Sequence, residues 1–410
     1  MAKSICLISP GHVAFNPRLV KEADALAHAG YDVHVIAANN LANVRRLDRP
    51  ILASAAWTYE LVGGASDFAA LARRAVSKFA NILVGRGVPS LTLAEWGHHA
   101  LTHLLKQRAI DAKADLYIAH YVAALPAAYH AAQRHDGKWG FDAEDFHSGE
   151  FTPPQQNSSA ARAVRMIEGA YLPHSDHLTA ASPGIARAYR DAYGVDNPIV
   201  VLNVFPRAQA PERPSPAGVE APGPSIYWFS QTIGRERGLE CALEAIAQSR
   251  SRPHLYLRGN LQAGFRPYFE GLAERLRLVD RVHVLPTAPG VEMERLAARY
   301  DLGFVGETGH TENRAIALTN KMFSYLLAGV PVVASDIPAH RAVAQDCPAV
   351  LLYGVDRAAE LAARIDSLLL DPGALAEARL QAWSAGQSRY NWDMEQEKLV
   401  HAVEKQIGPP

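Results

Sequence analysis

Leu318-Thr319-Asn320-Lys321-Met322-Phe323-Ser324-Tyr325-Leu326-Leu327-Ala328-Gly329-Val330-Pro331-Val332-Val333-Ala334-Ser335-Asp336 reads as helix, tight turn, buried strand and loop. Asn320 is the expected N-cap. Lys321 then falls in the first turn, where a cation gains nothing from the helix dipole. A lysine beside the free N–H groups of a helix start strengthens their pull on an anion, so the pairing suits a phosphate seat. Met322, Phe323, Leu326 and Leu327 form the apolar stripe. Gly329 ends the helix, and Pro331 blocks its continuation. Val330, Val332 and Val333 make a short strand. The same pattern also fits an ordinary helix–turn–strand unit of any α/β protein.

Outward from this stretch, the chain alternates strands and helices. Ser4–Ser9 is a strand, Pro10-Gly11-His12 a loop, and Asn16-Pro17 a helix start. Leu19, Val20, Ala23, Leu26 and Ala27 face inward, Gly30 stops the helix, and 33–37 is the next strand. This βαβ opening implies a parallel sheet. There is no G-x-G-x-x-G, so a dinucleotide fingerprint is not supported. Gly11 permits close approach of backbone to a ligand. His12 and Arg18 are within reach of an anionic group there, or Arg18 is simply solvated.

Residues 68–83 are amphipathic and basic, with Phe68, Leu71, Ala72, Ala75, Val76 and Phe79 on one face and Arg73, Arg74 and Lys78 elsewhere. Such a helix rests on an anionic membrane or packs on its own domain. Residues 91–110 read as a further helix carrying His98, His99 and His103. Nothing near it supplies the Glu of an H-E-x-x-H site, so no metal is expected. His120 follows the strand 115–119 at its carboxyl end, where ligands sit in open α/β sheets. The loop 141–147 concentrates Asp142, Glu144, Asp145 and His147. It suits an acceptor hydroxyl or a general base, or it is a solvated acidic turn. Residues 177–180 and 199–203 are the last strands of this half. Pro206, Pro211, Pro214, Pro216, Pro222 and Pro224 then mark a linker.

The second half restarts the alternation. A strand at 226–229 leads into a polar loop with Ser230, Gln231, Gly234, Arg235 and Arg237 before a helix at Leu239. Arginines before a helix start suit a diphosphate, because guanidinium bonds phosphate bidentately. The strand 254–258 ends in Arg258-Gly259-Asn260, and Glu307 lies just past the strand 301–305. The loop 308–319 carries His310, Glu312 and Arg314, and 358–407 is mostly helical.

Taken in order, almost the whole chain resembles the GT-B glycosyltransferases of the large retaining family four. The segment NKMFSYLLAGVPVVASD is similar to their donor-site pattern N-K-x-x-E-Y-x-x-A-G-x-P-V-V-x-x-D. Ser324 stands where that pattern has the Glu that holds the donor ribose, and Ile316 where it often has a second Glu. The opening SPGHVAFNPRLVKEADALAHAGYDVHVIA is similar to the family's first unit, whose loop approaches donor diphosphate and acceptor. DLYIAHYVAALPAA resembles the neighbourhood in which a His lies by the reacting sugar. In the family's G-R-x-x-x-x-K-G loop, Arg237 takes the lysine's place and Gln231 the arginine's. The last helix, SRYNWDMEQEKLV, resembles one that crosses back to the first domain.

The resemblance implies an α/β architecture of two Rossmann-like, doubly wound parallel-sheet domains facing a cleft. The expected division is 1–205 for the acceptor domain, 206–224 for the linker, 225–385 for the donor domain, and 386–410 for the returning helix. It implies sugar transfer from a nucleotide diphosphate, UDP before GDP, to an acceptor hydroxyl with retention, in glycan or glycoconjugate synthesis. His120, Arg237 and Lys321 are the implied catalytic groups. Gly11, Ser230, Gln231, Gly234, Arg235, Arg258, Glu307, Glu312, Asn320 and Ser324 would bind donor. His12, Arg18, Asp142, Glu144 and Asp145 would bind the acceptor, which is a glycan, a lipid-linked glycan or a small molecule. With cations at the diphosphate, neither metal nor other cofactor is expected. A sugar-nucleotide 2-epimerase or a non-catalytic sugar-nucleotide binder would share this fold.

The bounds agree. A chain of 410 residues accommodates two or three domains, and 49% apolar with 20% charged residues suits a globular protein. A net charge of −1 argues against nucleic acid as a partner. Three scattered cysteines fit a reducing compartment. No apolar run reaches the roughly 18 residues of a membrane span, so a cytoplasmic protein, soluble or at the membrane's inner face, is expected.

Overall fold

The computed structural model describes residues 2–64, 68–214 and 222–410. Part of the proline-rich 206–224 therefore lies outside the described residues. The chain divides into two compact units. The first is Met1–Val201 with Thr311–Asn313 and Gln396–Pro410; the second is Leu202–His310 with Arg314–Glu395.

The first unit is built on seven parallel strands: β1 Ser4–Ile8, β2 Asp32–Ala38, β3 Thr58–Val62, β4 Leu116–His120, β5 Lys138–Ala143, β6 His177–Ala180 and β7 Ile199–Val200. Their order is β3-β2-β1-β4-β5-β6-β7. Ile5 pairs with Val33 on one side and Leu116 on the other. The apolar runs of β1 and β4 are buried throughout, as a sheet covered on both faces requires. In helix Pro17–His28, Asn16 accepts a hydrogen bond from the Leu19 N–H at 3.0 Å. Three expectations shift. The helix expected over 91–110 is two, Leu91–His98 and Thr102–Asp111, with His99 extended between them. Gly97 explains the break: a Cβ there would lie 2.8 Å from the Asn81 nitrogen, so this helix packs closely against helix Phe68–Gly85. His99 and His103 thus do not share one helix. Asp142 belongs to β5 rather than to a loop. The strand at 199–203 shortens to two residues.

The second unit has six parallel strands: β8 Ser225–Ile233, β9 His254–Leu261, β10 Val282–Leu285, β11 Leu302–Val305, β12 Val332–Ser335 and β13 Val350–Tyr353. Their order is β10-β9-β8-β11-β12-β13. β8 outlasts its expected end, with a register shift between Phe229 and Thr232. Ser230 and Gln231 therefore lie on the strand, and the loop begins at Gly234. Arg258 likewise sits within β9. Helix Asn320–Leu327 starts one residue earlier than expected. Thr319 is the extended residue before it and makes no side-chain cap, so Asn320 is the first helical residue rather than the cap. Every side chain from Lys321 to Leu327 is buried. Gly303 is required here, because a Cβ would lie 2.3 Å from the Tyr325 ring. Tyr325 donates to the Tyr227 carbonyl at 2.9 Å, tying helix to sheet. Three helices, Ala358–Leu369, Pro372–Ser388 and Trp392–Ile407, complete the chain.

All three cysteines are buried and free. Among the described residues no helix is long and apolar enough to cross a membrane.

Candidate functional site

In a doubly wound sheet, ligands settle beyond the carboxyl ends of the strands where the winding reverses. Strand order puts that point between β1 and β4 in the first unit and between β8 and β11 in the second. The expected site residues concentrate at these two edges.

At the second unit's edge, the loop after β8 meets the loop after β11 backbone to backbone. Gly238 has φ +68°, and a Cβ there would lie 2.4 Å from the Gly306 carbonyl. This brings Arg237 beside Glu307. Glu307 and Lys321 form a buried ion pair, Nζ to Oε1 3.0 Å. The Lys321 ammonium also lies 5.6 Å from the Trp228 ring centroid. Burial pushes the Glu307 carboxyl up, but Lys321 beside it outweighs burial, and Arg237 and Arg314 add to it, so the group is held at about 2. Arg237 is half-buried and, among the described residues, makes no hydrogen bond or ion pair. The edge thus carries a buried Lys321–Glu307 pair and, beside it and the N-terminus of a buried helix, an Arg237 that feels Glu307 without pairing to it.

The other donor candidates scatter. Arg235 turns away from Glu307's pair and stacks on Tyr268, 4.5 Å from the ring centroid. Arg258 donates to the Tyr227 hydroxyl and the Pro286 carbonyl, both at 2.8 Å. Gln231 and Asn320 are exposed, while Ser230 is half-buried. Gly234 is buried after β8, and a Cβ there would lie 2.5 Å from the Gln262 side chain. Ser324 is fully buried and donates to Glu294 Oε1 at 2.7 Å. Glu312 is exposed on helix Glu312–Ile316, in the stretch grouped with the first unit.

At the first unit's edge the charges neutralise one another. Arg18 clasps Asp142 with Nε at 2.6 Å and a second N–H at 2.7 Å, and donates to the Val201 carbonyl at 2.8 Å. Burial would raise Asp142, but Arg18, with His120 and Thr179 adding to it, outweighs burial and holds the carboxyl at about 2. His120 sits 3.0 Å from Glu22 and 3.5 Å from Asp142, buried with both. Burial lowers the imidazole and Glu22 more than restores it, so the net shift is upward. Glu22, His120 and Asp142 offer three donor atoms within 4.8 Å of one another, but the Arg18 guanidinium already occupies Asp142. His12 accepts from the Leu41 N–H at 3.0 Å, so its other nitrogen carries a proton and donates to Asp48 at 2.6 Å. Gly11 has room for a Cβ, 3.5 Å from Ser9 Oγ, and no left-handed φ. Its backbone does not demand glycine.

Two acids of the expected acceptor loop keep part of their surface, Glu144 and Asp145. Burial raises Glu144, with Asp145 and Asp142 pushing the same way against Arg18 and Lys21. Asp145 accepts from Asn313 at 2.7 Å. Directly after His120, Tyr121 holds φ +66°, a strained conformation for a non-glycine residue. Sequence reasoning missed Tyr121, Glu22, Asp48 and Glu294. Only Tyr121's place at a strand end offered a signal; the other three are acids in helical or loop stretches.

The glycosyl transferase 4-like domain family matches residues 16–204. No curated protein matches the chain significantly. Among solved structures, HepE of Anabaena in complex with UDP and glucose is 16% identical, with a TM-score of 0.71 over 98% of this chain and 100% of that one. Sucrose-phosphate synthase of Thermosynechococcus elongatus is 16% identical, with a TM-score of 0.73 over 98% of each chain. TarM of S. aureus, a variant bound to Fondaparinux, alpha-GlcNAc-glycerol and UDP, is 9% identical, with a TM-score of 0.69 over 98% and 99%.

Proposed function

With a glycosyl transferase 4-like domain and the GT-B fold the chain is a glycosyltransferase, and we propose that it moves a sugar from a UDP-sugar to a glycan hydroxyl. The observation that carries the donor assignment is the cationic edge of the second unit. Arg237 and Lys321 both lie beside Glu307 there, at the start of helix Asn320–Leu327. As the sugar leaves, charge builds on the diphosphate. Two cations and a helix N-terminus gathered there in advance stabilise it. They do what a divalent cation does elsewhere, so transfer proceeds without metal. The family resemblance supports retention of configuration, and the UDP carried by HepE and TarM supports the base.

Lys321 must exchange part of its contact with Glu307 for phosphate. Glu307, held ionised, then remains at the edge to accept hydrogen bonds from donor sugar hydroxyls. Gln231 and Gly234 would add donor contacts. In the first unit, Glu144 and Asp145 are the carboxylates with surface left for an acceptor. Arg18, Asp142, His12 and His120 would position this edge rather than touch the acceptor, because each is buried on a partner. The proposal includes a cytoplasmic setting, a role in bacterial glycan or glycoconjugate synthesis, and peripheral contact with an anionic membrane.

Calorimetric titration with UDP, GDP and dTDP, with and without EDTA, tests this on the wild type and Lys321→Ala. UDP binding that survives EDTA and is lost in the variant is expected. No nucleotide binding, or binding that needs a divalent cation, overturns it.

A further inference from the structure

Helix Phe68–Gly85 inverts the usual arrangement, burying small residues and exposing large apolar ones. Ala70, Ala80 and Val84 are buried. Phe68 is 87% exposed, Leu71 64% and Phe79 63%. Val76 and Ile82 are exposed as well. At helical spacing Phe68, Leu71, Ala75, Phe79 and Ile82 fall on one outward stripe. Arg74 and Lys78 border it, with Arg73 and Arg86 nearby, and residues 68–90 contain no Asp or Glu. In a chain of net charge −1 this is a strong local excess. At the helix's end a cavity of about 390 Å³ is lined by apolar Val84, Val88, Pro89 and Met166 and by Arg162 and Arg165. Arg162 gives one N–H to the Gly85 carbonyl at 2.9 Å, while its Nε is buried without a partner.

We propose that this face docks on an anionic phospholipid bilayer. The stripe enters the boundary between headgroups and acyl chains, Arg74 and Lys78 lie at headgroup level, and a lipid phosphate is drawn to Arg162 and Arg165. Apolar area with basic flanks is what interfacial helices need. A second copy fits poorly. A two-fold interface through this stripe sets the four basic residues of 68–90 against the same four, with no acid in the segment to pair them. The inference names the surface that makes the membrane contact in the function proposed above and rests on that reading, but lipid binding needs no donor, so each fails separately.

Co-sedimentation of the full chain with vesicles tests it, using phosphatidylcholine alone and with about one-third phosphatidylglycerol. Binding to the anionic vesicles, weakened by salt, is expected. Arg74→Gln with Lys78→Gln lowers partitioning roughly 25-fold, about fivefold per basic residue. Phe68→Ser with Leu71→Ser and Phe79→Ser abolishes it, and an unchanged thermal unfolding midpoint shows that this variant is folded. Equal binding to neutral vesicles, or none to either, overturns the proposal. So does a concentration-dependent dimer in sedimentation that the triple variant loses.

Discussion

Lys321→Met isolates the pair on which the donor edge depends. Lys321 and Glu307 are nearly inaccessible to water and 3.0 Å apart. Removing one partner of such a pair strands the other charge and costs about 3–5 kcal/mol. The acidity of Glu307 gives an independent figure. Its carboxyl is held at about 2 against an ordinary 4.5, roughly 3 kcal/mol of stabilisation at neutral pH. A depressed carboxyl contributes fully above its unfolded value. In the wild type this stability is therefore present above pH 4.5 and drains as pH falls toward 2. In Lys321→Met burial dominates and raises Glu307, so the sign reverses: the penalty is greatest near neutral pH and shrinks as acid protonates the stranded group. Urea unfolding from pH 7 to pH 4 reads both variant and wild type. The expected gap is about 3 kcal/mol at pH 7, narrowing on acidification. Adding Glu307→Gln restores stability to within about 1 kcal/mol, because both charges are gone, yet UDP binding stays lost. Equal midpoints at pH 7, or a gap that widens in acid, would refute the reasoning.

Three further outcomes follow from the same geometry. Arg18→Met strands Asp142 and lowers stability by about 3–5 kcal/mol in thermal unfolding, whereas Arg18→Lys keeps the charge, loses the two-pronged contact and costs less. Ser324→Glu sets a second carboxylate against Glu294 in a fully buried site, so it weakens folding by several kcal/mol, roughly the cost of an unpaired buried charge, instead of improving UDP affinity. Pairing it with Glu294→Ser swaps the two groups and restores the unfolding midpoint. Gly238→Ala meets the Gly306 carbonyl and a left-handed φ, costing roughly 2 kcal/mol and weakening UDP binding in calorimetry. Gly264→Ala, with open space around it, leaves both unchanged.

The pattern of elements was legible because each signal is local. Asn16-Pro17 starts a helix with its own side chain, and Gly329, at φ +71°, ends one with its own backbone. Lys321 stood out for the same reason, as a cation where its helix gives it no reward. What the sequence concealed is non-local. The length of β8 through Ser230 and Gln231 is set by pairing of Thr232 with Asn260, which nothing near 230 announces. The break at His99 follows from Gly97 lying on the Asn81 backbone. The fate of Ser324 depends on Glu294, thirty positions away by the hydrogen bond that joins them.

The same distinction explains why the two sheet edges differ in what they can do. Both carry cations and carboxylates beyond a winding reversal, and residue types alone made them equal candidates for an anion. At the first edge the basic groups described above are answered. Arg18 is matched by Asp142, His120 by Glu22, and His12 by Asp48, all inside the fold. A diphosphate arriving there would have to break a buried pair, leaving a charge uncompensated. At the second edge Lys321 is answered by Glu307, but Arg237 is half-exposed and makes no pair of its own among the described residues. Bringing in a diphosphate there gives Arg237 a partner, and Lys321 yields only part of its contact with Glu307. In the function proposed above, it is the charge balance of each edge, rather than its composition, that argues for the second as the donor's seat.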